Sequence, residues 1–250
     1  MIVIKNEHEL EIMREAAKVT AYILDEMLPE VIKPGMTTAA IDRIVEAEIR
    51  KNHQVPAFKG YGGFPASICA SVNETIVHGI PSHLKLQEGD IISVDTGTIY
   101  KGYYSDAART YPVGQISEEA EKLIRVTRES FFKGIENARA GNRIGDISHA
   151  VQVYAESHGY SVVKEFVGHG IGTNMHEDPP VPNYGKAGRG PRLQPGMTIA
   201  VEPMVNMGTD KCVVLEDEWT TVTVDGQMSA HYENTIIITD GEPEILTMLK

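Results

Sequence analysis

Four acidic residues lie in apolar, strand-like surroundings where an isolated charge would be unfavourable. Asp95 ends the run Ile-Ile-Ser-Val-Asp, and Asp106 follows a tyrosine-rich run. Glu202 ends Ile-Ala-Val-Glu, and Glu233 precedes Asn-Thr-Ile-Ile-Ile. A carboxylate in the core of a sheet is costly unless it is paired or bound to a metal. Each acid alone could be a surface residue at the end of a strand, but the four together favour one shared site.

A histidine completes this candidate site. His169 lies in a Gly-His-Gly-Ile-Gly run directly after an apolar, strand-like segment. The run lacks the G-x-G-x-x-G spacing of nucleotide-binding loops and no clear helix follows, so we interpret its glycines as allowing a tight turn and close approach. One histidine and four carboxylates form an oxygen-rich ligand set that suits Mn(II), Fe(II), Co(II) or Zn(II). The set lacks the sulfur ligands typical of structural zinc sites.

The charge of this ligand set predicts two divalent metal ions. Four carboxylates carry a charge that two divalent cations neutralise. Without metal, the clustered like charges would raise the pKa values of the carboxyl groups and leave the site partly protonated. Two ions a few ångströms apart can activate one water between them, which is chemistry suited to hydrolysis.

Helices and strands must position these groups. Hydrophobic periodicity and capping residues predict four helices, which run from Asn6 to Pro34-Gly35, from Thr37 or Thr38 through Ile49, from about Ser117 to Arg139, and from about Gly145 to His158. Strand-like runs cover Ile91–Asp95, Thr98–Tyr104, Val162–Val167, Met197–Val205, Cys212–Leu215, Trp219–Val224 and Thr235–Thr239. Asp225-Gly226 predicts a hairpin turn between two of these strands.

Two pairs of similar segments indicate an internal repeat. Residues 33–37 resemble residues 139–143, and residues 86–95 resemble residues 193–202. The two matches have nearly the same offset along the chain, which makes chance a poor explanation. The second pair of segments ends at Asp95 in one half and at Glu202 in the other.

The repeat predicts how the molecule is organised. We expect one catalytic domain over residues 1–250, composed of two similar halves at roughly 1–115 and 116–250. A pseudo-two-fold axis between the halves would bring Asp95 and Glu202 together. A chain of 250 residues is long enough to bury one large core.

Composition excludes several classes of protein. The net charge of −12 argues against nucleic acid or an anionic membrane as the main partner. Only two cysteines occur, so a disulfide framework is not expected. No apolar run is long enough to span a bilayer, and the apolar start is too short for a signal peptide. We expect a cytoplasmic protein.

The motifs together resemble those of the type I methionine aminopeptidases. The five candidate ligands match that family's metal-ligand pattern: Asp95, Asp106, His169, Glu202 and Glu233. The segment Gly60–Glu74 with His78–Pro81 is similar to the type I signature, and Gly168–Gly172 and His176-Glu177 match as well. The resemblance covers nearly the whole chain. It implies an α+β "pita-bread" fold, in which two pseudo-symmetric halves contribute a curved antiparallel sheet covered by helices.

The resemblance also implies a role for each site residue. Asp106 and Glu233 would bridge the two metal ions, Asp95 would complete one ion, and His169 and Glu202 would complete the other. The catalytic residues would be His78, His176 and Glu202, with Glu202 moving the proton. The substrate-binding residues would be His78, His176, Tyr61, Phe64, Cys69 and Trp219. For each isolated aromatic residue core packing is the alternative interpretation, and Cys69 as a nucleophile is the weaker one.

Three positions depart from the family's pattern. Phe58 stands where many type I members have a cysteine, Met175 stands where an aromatic residue is common, and Asn234 stands where histidine is frequent. None of the three is a proposed metal ligand. We expect them to affect pocket shape and rate.

The resemblance implies an enzyme that hydrolyses the initiator methionine from nascent proteins and peptides with a small second residue. Its activated nucleophile would be a hydroxide held by Co, Mn, Fe or Zn. We expect a monomer that acts on N-terminal methionyl peptides and nascent chains, with the ribosome as a candidate partner, no membrane partner and no sequence-specific nucleic acid binding. The rival functions are a pita-bread aminopeptidase for X-Pro or creatine-like substrates, and a non-catalytic peptide-binding module of the same fold.

Overall fold

The computed structural model describes residues 1–249. Its helices are α1 (Glu7–Tyr22), α2 (Leu28–Val31), α3 (Thr38–Lys51), α4 (Glu118–Ile135) and α5 (Ile144–Ser157), with a π-helical turn at Ile23–Met27 and a 3-10 turn at Tyr61–Gly63. Its strands are β1 (Val55–Pro56), β2 (Ile68–Val72), β3 (Thr75–Val77), β4 (Ile91–Tyr100), β5 (Tyr103–Pro112), β6 (Ser161–Val162), β7 (Gly168–Gly170), β8 (Glu177–Val181), β9 (Thr198–Val201), β10 (Met204–Asn206), β11 (Cys212–Val214), β12 (Thr221–Thr223), β13 (Ser229–His231), β14 (Glu233–Ile237) and β15 (Glu244–Ile245).

The predicted helix starts are confirmed by their caps. The Asn6 side chain accepts a hydrogen bond from the Glu9 N–H, and the Glu9 carboxylate accepts one from the Asn6 N–H, which forms the predicted capping box. Thr37 caps α3 and Ser117 caps α4 in the same way through their side-chain oxygens. The predicted end of the third helix is wrong, because α4 stops before Arg139. Within residues 1–249 no helix is both long and apolar enough to cross a membrane.

One antiparallel sheet forms the centre of the molecule. Its strands follow the order β1-β4-β5-β14-β9-β7-β8, with β2 also paired to β4 and β15 also paired to β14. Two small three-stranded sheets, β13-β10-β6 and β11-β12-β3, lie beside it. This mixture of helices and antiparallel sheets agrees with the predicted α+β class.

Several strand predictions are wrong in their pairing or limits, among them Met197–Val205, which forms two strands in different sheets, β9 and β10. The segment Thr98–Tyr104 is not one strand, because β4 turns at Lys101-Gly102 into β5, and both turn residues have the positive φ of a tight hairpin. Of the strand predicted at Val162–Val167, only Val162 lies in a strand, as the last residue of β6. Asp225-Gly226 turns the chain, but the flanking strands β12 and β13 pair in different sheets.

The two halves of the chain make matched backbone contacts. The N–H of Gly35 donates to the Leu86 carbonyl at 2.7 Å. In the second half, the N–H of Gly141 donates to the Leu193 carbonyl at 3.0 Å. In the sheet, β4 and β5 of the first half meet β14 and β9 of the second across the β5–β14 pair. These contacts support the predicted division into two related halves, which stays a prediction.

The helices cover one face of the sheet. In β4, Ile92 and Val94 pack against α1 and α3, whereas Asp95 points the other way. In β14, Ile236 packs beneath α4 and α5, whereas Glu233 points the other way. Because side chains alternate along a strand, the apolar positions face the helices and the alternate positions are free to build a site.

Arg109 joins the elements on the helix-covered face. It is buried, and its guanidinium donates to Asp25 in the π-helical turn, to the carbonyls of Glu233 and Thr247, and to the side chain of Asn234. All these bonds measure between 2.7 and 2.9 Å. A buried cation with every donor in use links β5 to β14 and to the C-terminal segment.

Replacing Arg109 should therefore destabilise the protein. We expect Arg109→Met to lower the free energy of unfolding by about 3–5 kcal/mol, because it leaves buried acceptors and Asp25 without a partner. Arg139→Met is the matched control, because it removes an exposed ion pair with Glu242 and should cost less than about 1 kcal/mol. Urea unfolding curves of the two variants would measure the difference, and equal losses would contradict this interpretation of Arg109.

Candidate metal centre

The register of three strands places three carboxylates on one face of the sheet. Asp95 of β4 lies opposite Ala108 of β5, and Ala108 lies opposite Glu233 of β14. Asp106 is two positions from Ala108 and so points to the same face. The β-structure therefore gathers Asp95, Asp106 and Glu233 around one point.

His169 reaches this cluster from β7. The glycines on either side of it allow close strand contact: a Cβ at Gly168 would lie 2.4 Å from the Ala200 carbonyl oxygen, and one at Gly170 would lie 2.1 Å from that of Asp178. The Nδ1 atom of His169 lies 2.8 Å from the Gly170 carbonyl oxygen. A proton on Nδ1 is thus bound to that carbonyl, which leaves Nε2 free as a ligand atom.

Glu202 joins the same cluster from the end of β9. The Nε2 atom of His169 lies 3.6 Å from Oε1 of Glu202 and 3.7 Å from Oδ2 of Asp106. The backbone carbonyl of Glu202 accepts a hydrogen bond from the buried side chain of Asn183 at 2.9 Å. All five predicted ligands therefore lie together.

A sixth ligand candidate, His231, was missed in the sequence. Its Nε2 atom lies 3.5 Å from Oε2 of Glu233 and 4.0 Å from Oε2 of Glu202, and the residue is 2% exposed. Histidine and carboxylate atoms form two groups with metal-ligand spacing, Asp95-His231-Glu233 and Asp106-His169-Glu233. The spacing of His231 and Glu233 was an available signal, because residues two apart in extended chain point to one face.

The electrostatics of the cluster favour the binding of cations. Burial raises the pKa values of all four carboxyl groups, that of Asp106 to about 7, and the neighbouring carboxylates add to the rise for Asp95, Glu202 and Glu233. Burial also lowers the pKa of His231 to about 3, so its imidazole is neutral and able to bind a metal.

Unpaired ligand atoms also indicate a metal site. Among residues 1–249, buried atoms without a hydrogen-bond partner include Oδ1 of Asp95, Oδ1 of Asp106, Oε1 of Glu233 and Nε2 of His231. Buried polar atoms are normally satisfied, so a set of unpaired acceptors aimed at one point fits a metal site. The ligand set, oxygen-rich with two imidazoles, suits divalent first-row transition metals.

A cavity of about 200 Å³ lies against this cluster. The predicted substrate-binding residues all line it: Tyr61, Phe64, Cys69, His78, His176 and Trp219. Phe64 and Trp219 pack edge to face, with ring centroids 5.1 Å apart. The cavity therefore combines an apolar wall with a polar floor formed by the carboxylates.

Two further histidines border the cavity. His78 has a positive φ of 59°, which is strained for a non-glycine residue and is the kind of strain that functional sites retain. His176 is more exposed, and its Nδ1 lies 2.7 Å from the Tyr61 hydroxyl. Burial lowers the pKa of each imidazole to about 4, so both are neutral near pH 7.

The three departures from the family's pattern have different positions. Phe58 and Met175 are buried in the cavity wall, so they alter its shape. Asn234 is buried on the helix-covered face, where its side chain binds Arg109, so it does not enter the cavity. Burial also raises the pKa of Cys69 well above its usual value, which disfavours the thiolate that a cysteine nucleophile needs.

Comparisons with known proteins agree with this site. The sequence model of metallopeptidase family M24 matches residues 11–240. The chain is 59% identical to the methionine aminopeptidase of Clostridium acetobutylicum over 99% of both sequences. It is 52% identical to methionine aminopeptidase 1 of Bacillus subtilis, again over 99% of both.

A solved structure shows the same fold. The crystal structure of a methionine aminopeptidase from Thermotoga maritima superposes with a TM-score of 0.97 and 49% identity, and each chain covers 100% of the other. This similarity confirms the predicted pita-bread fold. The chain belongs to metallopeptidase family M24 and, within it, to the methionine aminopeptidases.

Proposed function

We propose that this enzyme removes the N-terminal methionine from peptides and nascent chains whose second residue is small. The observation that carries the proposal is the pair of histidine–carboxylate groups that share Glu233 on the floor of an apolar cavity. We further propose that the enzyme is a monomer that acts in the cytoplasm, on chains that emerge from the ribosome.

Two divalent ions would be held by the clustered side chains. One would take Asp95, with His231 beside it, the other would take His169 and Glu202, and both would share Asp106 and Glu233. When bound, such ions supply a Lewis acid for the scissile carbonyl and lower the pKa of a water to near neutral. Mn, Fe, Co and Zn all accept this ligand set, and we propose no preference among them.

Glu202 is the group best placed to move a proton. Its carboxylate oxygens lie 3.6 Å from His169 and 4.0 Å from His231, at the boundary between the ligand cluster and the cavity. We propose that it accepts the proton of the attacking water and passes it to the departing amine. A carboxylate in a buried setting has a raised proton affinity, which suits a transient proton carrier.

The two cavity histidines would bind the peptide bond as neutral donors. We propose that the Tyr61 hydroxyl donates to Nδ1 of His176, which leaves the ring proton on Nε2 to stabilise the developing oxyanion. We propose that His78 contacts the nitrogen of the scissile peptide. Because both pKa values lie near 4, neither donor changes its charge near pH 7.

The apolar wall accounts for the choice of methionine. Phe58, Phe64, Met175 and Trp219 surround a volume that suits a long, flexible, apolar side chain. A small second residue is expected because the scissile bond must reach both His78 and His176. The free α-amine of the substrate would bind beside the carboxylates, which restricts cleavage to chain ends.

Substrate choice tests this function directly. We expect Met-Ala-Ser to be hydrolysed well in Mn(II), Fe(II) or Co(II), whereas Ala-Ala-Ser and Met-Leu-Ser are cut at least about 100-fold more slowly. EDTA should abolish all cleavage. Each rate is measured by monitoring the release of the first residue with chromatography. Equal cleavage of the three peptides would contradict the proposed specificity.

Metal titration tests the two-ion assignment. Glu233 belongs to both ligand groups, so Glu233→Gln should lower the affinity for both ions by about 100-fold or more. Asp95→Asn should lower the affinity for only one ion. Asp240→Asn removes an exposed acid and is the control. Calorimetric titration of metal-stripped protein with Mn(II) measures both affinities. If Glu233→Gln kept two tight ions, the shared ligand would be misassigned.

A histidine variant separates catalysis from metal binding. We expect His78→Ala to retain both ions and to lose about 100-fold or more in kcat, because it removes one transition-state contact. His8→Ala, which removes an exposed histidine of α1, should behave as the unmodified enzyme. Loss of bound metal from His78→Ala would show that His78 is a ligand instead.

A further inference from the structure

A buried ion pair links the N-terminal segment to the loop that carries His176. The Nζ atom of Lys5 lies 2.5 Å from Oε2 of Glu177, and the two side chains are 3% and 7% exposed. Lysine and glutamate are rarely this buried, and a buried pair costs more to break than an exposed one. Glu177 directly follows His176 in the chain, so the pair lies one residue from a proposed catalytic group.

Glu177 also organises the loop before it. Its Oε1 atom accepts a hydrogen bond from the Asn174 N–H at 3.1 Å and lies 3.5 Å from the Thr173 hydroxyl. Thr173, Asn174 and His176 are exposed, whereas Met175 between them is buried in the cavity wall. One carboxylate therefore fixes the backbone on both sides of Met175, and its charge is balanced by Lys5 alone among the described ion pairs.

The lysine is held from the opposite side. Its backbone N–H donates to the Gly196 carbonyl at 2.9 Å, and the Gly196 N–H donates to Ile238, just past the end of β14. Gly172 leaves room for the pair, because a Cβ there would lie 2.5 Å from Cε of Lys5 and 2.7 Å from Oε1 of Glu177. The backbone of Lys5 is thus anchored to the sheet that carries the candidate metal ligands.

We propose that Lys5 is a positioning residue that holds His176 in place through Glu177. Without the ammonium, the buried carboxylate has no counter-charge, so the loop must move to solvate it and must carry His176 with it. The Tyr61 hydrogen bond to His176 would then lose its geometry. This inference rests on the proposed catalytic role of His176.

A double-mutant cycle with His176 separates positioning from general stability. We expect Lys5→Met to lower kcat by about 10- to 100-fold with a smaller change in KM, since His176 acts on the transition state. In a His176→Ala background, Lys5→Met should change kcat by less than about 3-fold, because the group it positions is absent. Mn(II) uptake should be unchanged in all of these variants.

Two further variants complete the experiment. Arg14→Met is the control, because it breaks a half-buried pair between α1 and Glu244 far along the chain from His176 and should leave kcat within about 2-fold. Glu177→Gln breaks the same pair from the other side. It should show the same dependence on His176, and it replaces Lys5→Met in the cycle if that variant does not fold.

The outcomes are distinguishable. If the Lys5 or Glu177 variant lowers kcat by the same factor with and without His176, the positioning role is overturned while the proposed function stands. If His176→Ala keeps full kcat, the catalytic role of His176 fails and this inference fails with it. The proposal is supported if the single variant loses much of its kcat and the same substitution changes kcat little in the His176→Ala background.

Discussion

Four buried carboxylates repel one another at the centre of this protein, and that repulsion is relieved either by protonation or by bound metal ions. Burial alone raises the pKa values of Asp95, Glu202 and Glu233, and the neighbouring charges raise them further. Unpaired oxygens in the same place show that the protein's own donors do not satisfy them. Two imidazoles with depressed pKa values complete the set. The remaining features of the fold are understood most simply as the means to hold this cluster in place.

The sheet holds this cluster in place because side chains alternate between its two faces along each strand. Its apolar positions pack beneath the helices, so the intervening positions of β4, β5 and β14 point toward the cluster of candidate ligands. Arg109 follows the same rule on the opposite face, where it binds Asn234 and the backbone of Glu233. A strand that slipped by one residue would bury Arg109 in the cavity and turn the carboxylates toward the helices. Function and stability therefore depend on one register.

Much of this arrangement could be predicted from the sequence. The candidate ligands Asp95, Asp106, His169, Glu202 and Glu233 follow from motifs, and the Asn6–Glu9 capping box follows from local chemistry. The limits of β4 and β5 were predicted wrongly, because tyrosines flank Lys101-Gly102 on both sides and the strand-like pattern resumes directly after the turn. His231 does not belong to the five-ligand pattern of the family, so only its two-residue spacing from Glu233 could have indicated it. The Lys5–Glu177 pair joins distant segments, which no local pattern encodes.

The pairing of β5 with β14 also has a consequence for biosynthesis. Glu233 contributes to both ligand groups, yet it lies near the end of the chain, whereas Asp95 and Asp106 are made much earlier. During translation the first half can collapse onto its helices, but its carboxylates remain without their shared partner until β14 is released. A partly synthesised copy therefore lacks the candidate ligand that both groups share, so we expect activity only after synthesis of the chain is nearly finished.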